Sequence, residues 1–415
     1  MLIKVLFRII VCMMPMWIAY AEPHWIDTYA PKFGYNDVLN TPPATPNSII
    51  MQKGSRQIWI FDGNKWQNTG FNKGKINTWN IGTASINSIT LKTNDFKVYH
   101  YDGKTWSLVV KDYPVRKDNI KDLIICYNEL NSLLLITKDN QMYMFKQQKW
   151  QKIFKLTHRM GAYNYKNSQL LVWDYDTQYS SVYVYDDSKV VDTGFDKVLT
   201  KDEDIAQSYF DDPKQPIILT TKNNLWAYQG QKWNKIDISQ VTGLKTVISD
   251  NAHPESLVML VGVESIDPNH QQSDLRWQNI YIYDGIQWSN SHVPLNAKEY
   301  IYAINKESSK SSIVVMTNLN RILVFDGTKW TDIGLTLGKD DSIPNGAWNA
   351  QTATPSSIVV GVSSTGKTKL MQYNGKSWSE VACMVCDYSG MEAASQSAIN
   401  SLIVTKPNGK IFVYK

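Results

Sequence analysis

The chain has 415 residues, 43% of them apolar and 12% aromatic, which is enough for a large packed core. A formal charge of +5, lowered by two when Lys4 and Arg8 leave with a signal segment, is too mild for a nucleic-acid binder or an anionic membrane surface. Six His with no His-x-x-x-His pair argue against zinc, and no cofactor is implied.

The first element is a secretory signal over residues 1–21. Lys4 and Arg8 form its basic region, Ile9 to Ile18 its apolar stretch, and Ala19-Tyr20-Ala21 a small-x-small cleavage site before Glu22. The apolar run is far short of the roughly 20 residues that a spanning helix needs, so no transmembrane anchor is expected. Export to the periplasm or the medium follows. No Asn stands in an Asn-x-Ser/Thr acceptor, and with the Lys, Asn and Ile bias this leans toward a bacterial protein. Residues 22–415 then form one domain.

That domain is a repeat. Phe61-Asp62-Gly63 runs to Trp66 and Tyr101-Asp102-Gly103 to Trp106. Phe145 is followed by Trp150, Tyr185 by Val190 in place of a Trp, and Tyr228-Gln229-Gly230 by Trp233. Tyr283-Asp284-Gly285, Phe325-Asp326-Gly327 and Tyr373-Asn374-Gly375 lead to Trp288, Trp330 and Trp378, and a last copy is cut off after Tyr414. A spacing of about 40 to 55 residues means a solenoid, a propeller or an array. Upstream of each aromatic lies a short apolar run such as Ser132-Leu133-Leu134-Leu135, which reads as a buried strand. An alternating strand such as Lys97-Val98-Tyr99-His100-Tyr101 comes next. Asp-Gly then predicts a two-residue type I′ hairpin turn, and the Trp opens a fourth strand.

Four antiparallel strands per unit is a propeller blade. The predicted fold is all-β, a single β-propeller of nine blades, with eight as the alternative. His24-Trp25-Ile26-Asp27-Thr28 matches Lys329-Trp330-Thr331-Asp332-Ile333, so residues 23–29 are expected to complete the last blade and remove its open edge. The layout resembles the Kelch and Asp-box branches of the propeller superfamily. Like Kelch, an aromatic closes the third strand and a Trp opens the fourth, though the Gly-Gly doublet is missing. Like an Asp-box, Asp102-Gly103-Lys104-Thr105-Trp106 pairs an acidic turn with Gly-x-x-Trp, though Asp is adjacent to Gly instead of one residue removed. The resemblance implies the blade design and carries over no catalytic residue.

Trp25, Trp66, Trp106, Trp150, Trp233, Trp288, Trp330 and Trp378 hold the repeat position and are read as packing between blades. Trp79 and Trp348, in the variable first strands, are either core or a ligand platform at the central channel. The longest gap between repeats holds an insertion over residues 264–277, read as a polar loop. In it Asp267, His270, Asp274, Arg276 and Trp277 are candidates for gripping a sugar or a peptide. Trp330→Ala should then cost roughly 3–5 kcal/mol and Trp277→Ala almost nothing. Cys383-Met384-Val385-Cys386 is read as a local disulfide, and Cys126 as a buried thiol. Two functions remain: a monomeric, non-enzymatic binder of a protein or glycan, or a glycoside hydrolase or lyase working at the channel mouth.

Overall fold

The computed structural model describes residues 25–414 except 35–36, 40–43, 81–83, 126–132, 157–158, 167–168, 177–178, 186–188, 210–214, 248–252, 267–272, 306–307, 344–347, 349–352, 365–366, 382–389, 394–401 and 406–409. The predicted signal, Cys126, Cys383 and Cys386 lie outside the described residues.

The described chain is all-β apart from two short 3-10 turns. Its strands form four-stranded antiparallel blades, arranged as seven separate sheets and one eight-stranded sheet made of two joined units. The Tyr101 blade shows the pattern: Ile76–Trp79, Ile89–Thr93, Val98–Tyr101 and Trp106–Leu108 pair in chain order. Each blade is named here by the aromatic that closes its third strand. The Phe61, Tyr101, Phe145, Tyr228 and Phe325 blades are recognisable with side chains described along nearly all four strands.

Why the second strands are unbroken apolar runs follows from their surroundings. In the Phe145 blade, Leu133 and Leu135 face the Tyr101 blade, packing with Val98 and Leu123. Leu134 and Ile136 point the other way, against Tyr183 and Tyr185 of the next blade. Successive side chains alternate between faces, and both faces are covered, so every position is apolar. The same two-sided burial links consecutive blades from the Phe61 blade to the Tyr373 blade. An eighth cluster joins Ile49 and Phe61 to Ile403, Ile411 and Val413, at opposite ends of the chain.

The N-terminal strand Trp25–Asp27 pairs with Ile411–Tyr414, with Trp25 opposite Tyr414 and Asp27 opposite Phe412. Thr28 extends the pairing by donating both its amide (3.0 Å) and its hydroxyl (2.8 Å) to the Ile411 carbonyl. The beginning and end of the described chain are therefore held in one four-stranded sheet.

The Asp-Gly turns differ from the predicted two-residue type I′ form. Phe61 pairs with Trp66, so four residues make the loop, and only the glycine has positive φ. Asp62 Oδ1 instead accepts the amides of Asn64 and Lys65, both at 2.9 Å. The equivalent atoms of Asp102, Asp284, Asp326 and Asn374 do the same. A side-chain acceptor thus replaces the second positive-φ residue. The glycine is doubly required: at Gly103, φ is +91° and an added Cβ would lie 2.8 Å from Asn87 Oδ1. At Gly230, φ is +57° and nothing stands within 4 Å.

Two tests follow from these turns. Gly103→Ala should destabilise by about 3 kcal/mol, and Gly230→Ala by about 1–2 kcal/mol because it meets backbone strain alone; denaturant titration would compare them. The Thr328 hydroxyl, followed by the Lys329 and Thr328 amides, lowers the Asp326 carboxyl from 3.8 to about 2. A depressed folded value stabilises above the unfolded value and is lost as pH falls through the folded one. Asp326→Asn, which copies the natural Asn374 turn, should narrow the fall in Tm between about pH 4 and pH 2, measured by thermal melts across that window.

Candidate binding face

Second and fourth strands of a blade run in the same direction. The hairpins between strands two and three therefore share one face of the molecule with the connections that lead to the next blade. The Asp-Gly turns lie on the opposite face, beside the loops between strands one and two, as the approach of Gly63 to Asn47 shows.

On the opposite face, the repeat Trp rings act as hooks. Each packs on the aromatic of its own blade at centroid separations of 5.0–5.4 Å in the Phe61, Tyr101, Phe145, Tyr228, Tyr283, Phe325 and Tyr373 blades. In five of these seven blades the indole N–H then reaches back to the preceding blade, while those of Trp233 and Trp288 meet no acceptor among the described residues. Trp66 donates to Thr28 Oγ1, and Trp106, Trp150, Trp330 and Trp378 donate to the carbonyls of Thr69, Asp112, Ser291 and Ile333. The side chain of Trp25 lies outside the described residues. A groove of about 570 Å³ lies on this face between Val184, Val191 and Tyr228, at the unit whose Trp is replaced by Val190. One of about 480 Å³ recurs at the equivalent place between Ile282, Ser289 and Gly327. Recurrence at matching positions marks both as products of blade spacing.

The first face is where the Tyr283 unit departs from the repeat. Its second and third strands, Leu257–Ile266 and Ser273–Tyr283, have ten and eleven residues against five and four in the Tyr101 blade. The described ends of the insertion, residues 264–266 and 273–277, are thus strand and not loop. Val263 pairs with Arg276, Glu264 with Leu275, Ser265 with Asp274 and Ile266 with Ser273. Asp267 and His270 lie outside the described residues, as does the side chain of Asp274.

A bulge reorients the base of this hairpin. Val261 pairs with Asn279 and Gly262 with Trp277, leaving Gln278 as the extra residue. Only glycine fits at 262, since a Cβ there would lie 2.7 Å from the Arg276 carbonyl oxygen and 2.8 Å from the Trp277 ring. Trp277 pairs with Ile301 of the Phe325 blade, fusing the two units into one sheet, and its half-buried ring packs against the interblade cluster that contains Ile280, Ile301 and Phe325. The loop assignment of Trp277 is overturned: the hairpin's strand is anchored in the core between two blades. Trp79 and Trp348 are also core, at 3% and 7% exposure. Neither ring offers a face to a ligand.

Beside the hairpin base lies a cleft of about 340 Å³ lined mainly by polar groups, among them Arg276, Gln278, Asn279, Asn296, Lys298 and Tyr300. The Arg276 guanidinium carbon lies 5.5 Å from the Tyr300 ring centroid. Glu299 forms the buried floor. Its Oε2 accepts the Asn296 amide and Arg321 Nη1, each at 2.7 Å, while Arg321 Nε reaches Asp332 at 2.8 Å. Burial pushes the Glu299 carboxyl up, but the Thr317 hydroxyl, the Asn296 amide and Arg321 outweigh it and hold it below the ordinary value. Lys298 sits at the lip with φ of +65°. The same device recurs at Glu203, where burial is outweighed by Thr220, Asn224 and Thr200, bringing the carboxyl down to about 2. A carboxylate three residues after a loop residue whose amide it accepts is a pattern that sequence reading missed; Asp37 with Gly34 and Asp341 with Gly338 repeat it.

No family model and no curated protein matches the chain. Solved structures similar to it include YCF48 bound to D1 peptide, at 12% identity over 74% of this chain and 97% of that one, with a TM-score of 0.34. BamB from Moraxella catarrhalis is 9% identical over 93% and 100%, with a TM-score of 0.35. The β-propeller domain of the Trilobed protease from Pyrococcus furiosus is 9% identical over 84% and 98%, with a TM-score of 0.33. At such scores these likenesses transfer no function, and the fold rests on the strand topology above. No helix among the described residues is long and apolar enough to cross a membrane.

Because Trp277 is part of the interblade core, Trp277→Ala should cost roughly 2–3 kcal/mol, somewhat less than a fully buried ring. A chemical denaturation midpoint that does not move would return Trp277 to the surface.

Proposed function

We propose that the chain is an exported, non-enzymatic β-propeller of nine blades, of the Kelch and Asp-box kind, that recognises a protein or a glycan through one face of its ring. The blade number is supported by the membership of the sheets and by the order in which the apolar clusters link them. The export reading rests on the Lys4–Ala21 segment, and the mature protein should begin at Glu22 when its N-terminus is sequenced.

One observation carries the binding reading: the longest hairpin among the described residues stands beside a polar cleft lined by Arg276, Asn279, Lys298 and Glu299. Concave sites with a few convergent polar groups are where ligands bind. A glycosidase acid needs a carboxyl held above its ordinary value; Glu203 and Glu299 are both lowered and engaged in structural bonds, so neither of these two would serve as that acid. Replacing residues 264–275 by Asn-Gly should leave Tm within a few degrees of the parent and abolish binding to whichever peptide or glycan array probe the parent retains. Retention of that probe at full affinity would remove the hairpin from the function.

A further inference from the structure

We infer that a second part of the same face, separate from the hairpin cleft, binds a linear polysaccharide bearing carboxylates through a ridge of exposed cations. The inference goes beyond the hairpin reading and uses none of its residues. The mild overall charge hides a polarised surface. On the face that carries the hairpins between strands two and three, the loops over residues 28–37, 54–56, 69–75, 94–97, 109–119 and 138–140 hold nine basic and five acidic residues. Their net charge of +4 exceeds the +3 of the whole chain after residue 21. Further round this face, the loops over residues 193–204, 221–224 and 237–243 hold three basic and five acidic residues, a net of −2. One sign of charge gathered on a surface raises the local concentration of partners of the other sign.

The basic loops are joined from blade to blade. The Ile76 amide donates to the Ser55 carbonyl at 2.7 Å, the Asn94 amide to the Lys75 carbonyl at 2.9 Å, and the Lys138 amide to the Asn119 carbonyl at 2.8 Å. The Tyr113 hydroxyl donates to the Phe96 carbonyl. These bonds run in sequence from the hairpin of the Phe61 blade, through that of the Tyr101 blade, to that of the Phe145 blade, so the loops form one ridge. Arg56, Lys73, Lys75, Lys111, Arg116 and Lys117 stand on it, all exposed. None of the six is ion-paired among the described residues, whereas Lys97 is held by Asp95 at 2.8 Å. Asp37 is taken up by the amides of Gly34 and Gly54, at 2.7 and 2.8 Å.

The side chains present favour a polysaccharide over other polyanions. Protein interfaces deplete lysine and set aromatic or Arg anchors in desolvated pockets, whereas four of these six cations are exposed lysines. Single-stranded nucleic acids bind where successive rings stack on bases. Here Phe33 and Phe71 are covered, at 4% exposure each, and the half-buried Tyr113 ring packs on Trp150. A duplex carries one charge per about 1.7 Å of its axis, a density that a net of +4 spread over three blades does not match. A lysine is a hydrated point charge on a flexible stem, so it can follow a chain whose carboxylates recur at wide intervals. Tyr29, at 87% exposure, adds one open ring for a sugar face.

Isothermal titration of the full chain with an oligogalacturonate tests the inference. The oligomer should bind, with an affinity that falls as salt rises, and its carboxyl-reduced counterpart should not. Lys73→Gln with Lys75→Gln and Lys111→Gln should weaken binding roughly tenfold. Lys65→Gln with Lys104→Gln and Lys329→Gln removes the same charge from exposed positions on the opposite face and should leave binding unchanged. Thermal melts confirm that each variant is folded. No binding, equal responses of the two triple variants, or equal binding of the reduced oligomer overturns the inference. Binding of polyglutamate or duplex DNA in place of the oligogalacturonate also overturns it, by giving the ridge to another polyanion. The variant with residues 264–275 replaced by Asn-Gly should bind the oligomer as the parent does. Loss of binding there moves the oligomer to the cleft, so the ridge falls and the hairpin reading stands. Retained binding supports the ridge even where that variant also keeps its array probe and the hairpin reading falls.

Discussion

Burial of each second strand on both of its faces is the constraint from which the architecture follows. A strand such as Leu133–Thr137 has no polar face to turn to water, so a lone blade would leave half of its apolar side chains exposed. At about 25 cal/mol per Å² of apolar surface, the remedy is another blade on each side. That demand propagates from sheet to sheet until the series meets itself, which is why the cluster joining Ile49 to Ile403 and Val413 matters beyond its size. An N-terminal strand as short as Trp25–Asp27 suffices as a latch because it is backed by this apolar contact and by Thr28.

Polar groups then fix the geometry that burial alone leaves loose. A covered indole N–H calls for an acceptor, and at Trp66, Trp106, Trp330 and Trp378 that acceptor is a carbonyl or hydroxyl at the end of the preceding blade's outer strand, whereas the covered N–H groups of Trp233 and Trp288 meet none among the described residues. At the four blades so bonded the spacing is held by a directional bond as well as by burial. The Asp-Gly turn presents the Trp in that position. Its carboxylate holds two amides while its glycine lets the neighbouring loop approach, so one short motif serves both the hairpin and the loop packed on it.

Much of this is legible in the sequence because the repeat samples the same physical problem many times. The aromatic, the Asp-Gly and the Trp announce themselves by recurrence, and the match between Trp25 and Trp330 locates the latch strand. Recurrence fails where one copy departs from the rest. The segment over residues 264–277 reads as a loop because Asp267-Pro268-Asn269 punctuates it and its polar residues break the apolar run. At the base of the hairpin stands Gly262, whose missing Cβ admits both the bulge and the Trp277 ring. A single glycine in a strand signals a bulge, but its consequence is visible only once Ile301 is in place. The turn type escapes sequence reading for a related reason: Asp-Gly suggests two backbone roles, whereas the Asp side chain does the bonding.

The departure from the repeat is also where specificity has room to reside. A wheel of like sheets offers like surfaces, and grooves that recur between blades distinguish no partner from another. Recognition requires that the symmetry be broken by something rigid enough to hold a geometry. A free loop of the same length would have to be ordered on binding, at about 1–2 kcal/mol for each residue fixed. Continuing two strands outward from an anchored Trp277 avoids much of that cost, since the ladder that orders the blade also orders the base of the projection. The polar cleft lined by Asn279, Asn296 and Lys298 lies against that ordered base.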